Sequence, residues 1–126
     1  MKTEISLFIV ISILIIHWFA DFILQTDEQA KNKSHSLEAL TKHVLSYTIP
    51  WMVFCLFAFK PDPAGPILAI QFIIVTFSCH WVTDFFTSKI NSKLWKDGKV
   101  HLFFVSIGFD QLLHFVQLLL TYQLVS

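Results

Sequence analysis

The sequence predicts an all-α membrane protein, with four transmembrane helices built from two parallel two-helix repeats. Three observations carry this. Of 126 residues, 55% are hydrophobic and only 14% charged, and the mean hydropathy is +0.63. Four apolar stretches reach the length of about 20 residues that a helix needs to cross hydrocarbon. The pattern H-W-x-x-D-F occurs twice, at 17–22 and 80–85. The length allows one domain. That domain spans 1–126, with repeat 1 about 1–63 and repeat 2 about 64–126.

The expected helices are 5–24, 38–59, 67–86 and 100–124. Their interiors lack Lys and Arg, and strand-like alternation is absent. Helices satisfy their own backbone groups in lipid, so all four are read as α. The connection 26–37 is polar, with Asp27, Glu28, Lys31, Asn32, Lys33 and Ser34. Residues 60–66, K-P-D-P-A-G-P, form a stiff turn that no helix crosses. The connection 87–99 holds Lys89, Lys93, Lys96, Asp97, Gly98 and Lys99. Pro50 predicts a kink in the second helix. The first helix does not read as a secretory leader. Lys2 is followed by Glu4, the apolar run is long, and no A-x-A site follows, so it is expected to stay in the mature chain.

Lysine placement sets the expected orientation. Lys31, Lys33, Lys42, Lys89, Lys93, Lys96 and Lys99 flank the first and third connections, against Lys2 and Lys60 on the other side. Positive charge stays inside. The two Lys-rich loops are therefore expected in the cytoplasm of a bacterial inner membrane, with both termini outside.

The repeated motif sets the architecture. Two helices return the chain to its starting side, so the copies run parallel about an axis along the membrane normal. With one turn inserted, His43 and Tyr47 align with Asp110 and His114. Each helix then carries one polar pair at i, i+4: His17/Asp21, His43/Tyr47, His80/Asp84 and Asp110/His114. That spacing puts both side chains on one face. A carboxylate at mid-bilayer costs about 2.5–3.5 kcal/mol, so the three Asp are expected to turn inward and find partners. Depth arithmetic at about 1.5 Å per residue leaves Asp110 and His114 deeper than the rest, unless the fourth helix projects a turn into the cytoplasm.

Four His and three Asp in a dry bundle suit a divalent metal, Zn, Mn or Fe, as one or two ions. The expected ligands are His17, Asp21, His43, His80, Asp84, Asp110 and His114. Gln25, Tyr47, Gln111 and Gln117 are placed to orient them. Such a centre, facing the cytoplasmic leaflet, suits hydrolysis of a lipid or lipid-linked phosphate. The alternative is a proton or divalent-metal transporter or channel subunit using the same residues, which predicts a homo-oligomer. Paired His also suit haem, though the neighbouring Asp fit that poorly. Polar pairs can also serve helix packing alone.

The remaining polar and aromatic residues read more simply. His101 is expected at the interface, and His35 in a loop. Trp51 and Trp95 suit interfacial belts, and Trp18 and Trp81 suit packing. Cys55 and Cys79 read as small hydrophobes. Zero net charge and three glycines exclude a nucleic-acid binder and a phosphate-cradling loop. No zinc-ribbon spacing or Ser–His–Asp order occurs.

With H-W-F-A-D-F-I-L-Q and F-D-Q-L-L-H, the chain resembles a family of small bacterial and phage integral membrane proteins, defined as a domain of unknown function (3307 type). The resemblance covers nearly the whole chain through His17, Asp21, Gln25, His43, His80, Asp84, Asp110, Gln111 and His114. It implies a membrane fold and no catalytic assignment. A more distant similarity, in His- and Asp-bearing membrane helices, is to membrane-bound metal-dependent hydrolases. Their histidine-rich start with T-H-S is missing here.

Overall fold

The computed structural model describes residues 4–60 and 62–126. Lys2, used for orientation, and Pro61, in the stiff turn, lie outside the described residues. The described residues are all-α and form five α-helices: α1 (Leu7–Trp18), α2 (Asp27–Asn32), α3 (Leu37–Ala58), α4 (Gly65–Lys96) and α5 (Val100–Val125).

Helix α1 starts at Ser6, whose side chain accepts from Ile9 N at 3.3 Å. It passes directly into a π-helical turn, Phe19–Ile23, closed by Leu24 N on Phe19 O. Such wide turns recur at functional sites, and this one buries Asp21. The polar connection is not all loop. Thr26 and Gln29 form a reciprocal capping box that starts α2. Ser36 caps α3 by accepting from Ala39 N. The backbone stays helical through Pro50.

Helix α4 begins at Gly65, where a Cβ would lie 2.3 Å from the Phe59 carbonyl oxygen, so only glycine fits that turn. Pro66 follows at the start, where its missing N–H costs nothing. The expected end near 86 is wrong, because α4 continues to Lys96. Residues 87–96 contain no helix breaker. The break is Asp97-Gly98, with Gly98 at φ 68°. At about 1.5 Å per residue the 32-residue α4 is about 48 Å long, well beyond a hydrocarbon thickness.

This extension levels the polar pairs. The turn joining α4 and α5 lies at 97–99, so Asp84 is 12 residues before the end of α4 and Asp110 is 10 after the start of α5. Thr87 Oγ1 accordingly donates to Asp110 Oδ1 at 2.6 Å. A single turn projecting from the last helix is not the reason, since the whole α4–α5 end is prolonged.

The most extensive packing joins α4 to α5, then α3 to α4. Helix α1 packs on α5, and its π turn on α3. The surface is inverted relative to a water-soluble bundle: Phe57 is 75% exposed and Phe104 62%, while His17, His43 and His80 are fully buried. By length and composition, α4 and α5 are long and apolar enough to cross a membrane, and 7–23 is apolar but shorter. Trp51 is not interfacial. It follows His43 and Tyr47 at i+4 spacing on the buried face of α3, at 0% exposure, and packs against Phe54 and Phe72. Trp18 faces outward, and Trp81 donates to Thr41 Oγ1 at 3.1 Å. Both cysteines are free. His101 and Trp95 are exposed, and His35 contacts Ser34 in a turn.

Candidate metal centre

All seven residues from the polar pairs that carry a His or Asp are buried and meet in one cluster. The i, i+4 spacing holds on three helices, with His17–Asp21 at 3.6 Å, His80–Asp84 at 3.6 Å and His114–Asp110 at 3.3 Å.

Four atoms form a compact group: Asp21 Oδ1, His43 Nε2, His80 Nε2 and Asp84 Oδ2. His43 Nε2 lies 3.1 Å from Asp21 Oδ1, 3.3 Å from Asp84 Oδ2 and 3.3 Å from His80 Nε2. His80 Nε2 lies 3.4 Å from Asp21 Oδ1 and 3.6 Å from Asp84 Oδ2. A tetrahedron of nitrogen and oxygen ligands about 2.0–2.1 Å from a metal has edges of about 3.3–3.4 Å. Five of the six edges here are these distances. The two carboxylates also bring one ligand oxygen each within 4.8 Å of one another. The donor set of two imidazoles and two carboxylates fits Zn, Mn or Fe.

Stacking fixes the imidazole planes. Tyr47 stacks on His80 at 3.7 Å between centroids, and His80 on His114 at 4.1 Å. The Nδ1 atoms of His43 and His80 have no hydrogen-bond partner, so the ring orientations owe nothing to a bond on the far nitrogen.

A hydrogen-bond chain supports the carboxylates. Gln111 Nε2 donates to Asp21 Oδ2 at 3.0 Å and to Asp110 Oδ2 at 3.1 Å. Its Oε1 is then the acceptor for His17 Nε2–H at 2.8 Å. His17 Nδ1 in turn accepts from the Tyr47 hydroxyl at 3.0 Å. With both ring nitrogens engaged, His17 acts through Gln111 on Asp21 and Asp110. A second group, Asp21, Asp110 and His114, also brings ligand atoms within 4.8 Å. His114 Nε2 lies 3.1 Å from Asp84 Oδ1, so it braces the other oxygen of a carboxylate in the first group. Gln117 is one turn away from the cluster and donates to Thr76 and Thr121. Gln25 does not bond the cluster, and its Oε1 is buried without a partner.

Lys33 is the residue that pairing arguments miss. Its Nζ lies 2.8 Å from Asp84 Oδ2. Burial alone would lower its pKa, but Asp84, Asp21 and Asp110 outweigh that and raise it. The signal was present in the sequence only as one lysine among several in a polar connection.

A cleft of about 530 Å³ opens onto the cluster between α2 and the extended α4–α5 end. Asp21, Asp110 and Gln111 line it, as do Lys31, Lys33 and Lys96. Phe22, Trp95, Phe103 and Phe104 add an apolar wall.

No curated protein and no solved structure matches the chain. The family model described as a protein of unknown function (DUF3307) matches residues 9–126. The chain belongs to that family.

Proposed function

We propose that this protein is an intramembrane metalloprotein that holds one divalent ion and uses it to hydrolyse a lipid or lipid-linked phosphate. The carrying observation is the set of five distances of 3.1–3.6 Å among Asp21, His43, His80 and Asp84. Charge agrees. The three carboxylates and Lys33 by themselves carry −2, which one divalent cation cancels. Metal binding also offsets the cost of burying carboxylates.

Bound there by four protein ligands, the ion would supply Lewis acidity toward a phosphoryl oxygen only by admitting a fifth ligand. The chain's own residues do the rest. Gln111 and Thr87 orient Asp110, which borders the cleft outside the tetrahedral group and is positioned to accept a proton. Lys31 and Lys96 suit an anionic headgroup, and the Phe103–Phe104 wall suits its chains. Gln25 Oε1, Ser88 Oγ and Asn91 Oδ1 line the same cleft, buried and unpartnered, which supports a polar ligand there.

In this reading α1 with its π turn, α3, α4 and α5 all cross the bilayer. The two H-W-x-x-D-F copies are parallel repeats, and the Lys-rich end lies in the cytoplasm of a bacterial inner membrane. The exposed apolar surface and the lysine asymmetry support this, and cysteine labelling from either side tests it. A proton or metal carrier is less favoured, because Trp51, Phe54 and Phe72 pack the core beyond the cluster.

The test is elemental analysis of the purified protein, with Asp84→Ala and His80→Ala in parallel. One ion per chain, lost in both variants, is expected, together with phosphate release from a lipid phosphate. No stoichiometric metal in the wild type ends the proposal.

A further inference from the structure

Lys33 ends α2 as its C-cap, its backbone N–H on Gln29 O at 2.9 Å, and three residues on Ser36 caps the start of α3. From there the side chain, 18% exposed, reaches Asp84 Oδ2 at 2.8 Å. Nearby Lys42 turns outward to Glu38 instead. Among the described residues, no other lysine is ion-paired with the cluster.

The cluster offers ligands for more than one ion. Asp21 belongs both to the group with His43, His80 and Asp84 and to the group with Asp110 and His114. Two-metal helical bundles share carboxylates in this manner. Charge separates the possibilities. Counting the three carboxylates and Lys33 alone, one divalent ion brings the charge from −2 to zero. A second would leave +2 in a buried site, where uncompensated charge is costly. A carboxylate oxygen has lone pairs for both an ammonium and a metal, so Lys33 and one ion can share Asp84.

Resting on the metal reading above, we propose that the Lys33 ammonium is the second cation of this centre, taking the place of a second metal ion and limiting the chain to one. Neutralising Lys33 leaves −1 with one ion and +1 with two. The penalty against the second ion then falls from two charges to one, and the group Asp21, Asp110 and His114 becomes available to it.

The test is equilibrium dialysis of the full chain in detergent against Zn²⁺ or Mn²⁺, counting ions per chain. The wild type and Lys33→Arg are expected to hold one ion. Lys33→Met is expected to hold two, the second more weakly. Lys33→Gln gives an independent neutral variant should Lys33→Met fail to fold. Methylammonium added to Lys33→Ala is expected to return the count from two to one, which a packing role would not reproduce. Two ions in the wild type, or one in the folded neutral variants, overturns the Lys33 assignment and leaves the metal site standing. No ion in the wild type overturns the metal reading itself.

Discussion

The buried stripe changes character at one level on α1, α3, α4 and α5. On α1 it passes from Ile13 to His17, on α3 from Trp51 to Tyr47 and His43, on α5 from Leu118 to His114 and Asp110. On α4 it passes from Phe72 through Thr76 to His80 and Asp84. Each step is four residues, so the side chains of each stripe stack along one face. The two halves obey different physics. The aromatic half, with Trp51, Phe54, Phe59 and Phe72 in mutual contact, is held by packing and asks nothing of charge. The polar half is favourable only when its charges balance. Its residues are therefore not exchangeable one by one, whereas the aromatic half tolerates change in proportion to the volume lost.

The largest separation between the halves is expected from Asp84→Ala. It removes one of the four proposed ligands and the partner of both Lys33 and His114, so stoichiometric metal is expected to be lost, read by elemental analysis. Chelation of the wild type should then lower its melting temperature, since an ion at about 1,000 times Kd contributes about 4 kcal/mol. The chelator should leave Asp84→Ala unmoved. Trp51→Ala is the converse. A cost of about 3–5 kcal/mol is expected from the cavity, read by thermal unfolding, with one ion per chain retained by the folded fraction. Loss of metal from folded Trp51→Ala would merge the two halves into one unit.

Gln111→Ala sharpens the polar side. Gln111 touches no tetrahedral atom but holds Asp21 by its other oxygen. Metal affinity is expected to fall about 10–100-fold with stoichiometry unchanged. Acidification should release the ion, because proton and metal compete for the same imidazole lone pairs. The smallest effect is expected at Gly108, whose Cβ position meets open space within α5. Gly108→Ala should stabilise by about 0.5–1 kcal/mol and leave metal binding untouched.

What was legible in the sequence follows from this division. The i, i+4 pairs expose the polar half, because buried Asp and His are rare enough in apolar helices to stand out. Their convergence follows from the cost of scattering them. The polar run 87–96 resembles a connection by composition, yet it is helical. Lys89, Lys93 and Lys96 are good helix formers, and only Asp97-Gly98 stops the chain. Helix α2 carried a readable cue in T-x-x-Q at 26–29. Residue type alone suits Trp51 to an interface, but its spacing continues the buried 43–47 stripe. Lys33 lies in neither a helix nor a motif, and its role depends on where two capped helices point a turn. The π turn that buries Asp21 leaves no sequence cue of comparable clarity.

Asp21, His43, His80 and Asp84 are proposed to hold one ion between them. X-ray absorption on the protein loaded with a single Zn²⁺ tests this most directly. A four-coordinate shell at about 2.0–2.1 Å with the outer-shell scattering of two imidazoles is expected, reduced to one in His80→Ala. A shell without imidazole scattering, or one identical in wild type and His80→Ala, would contradict it.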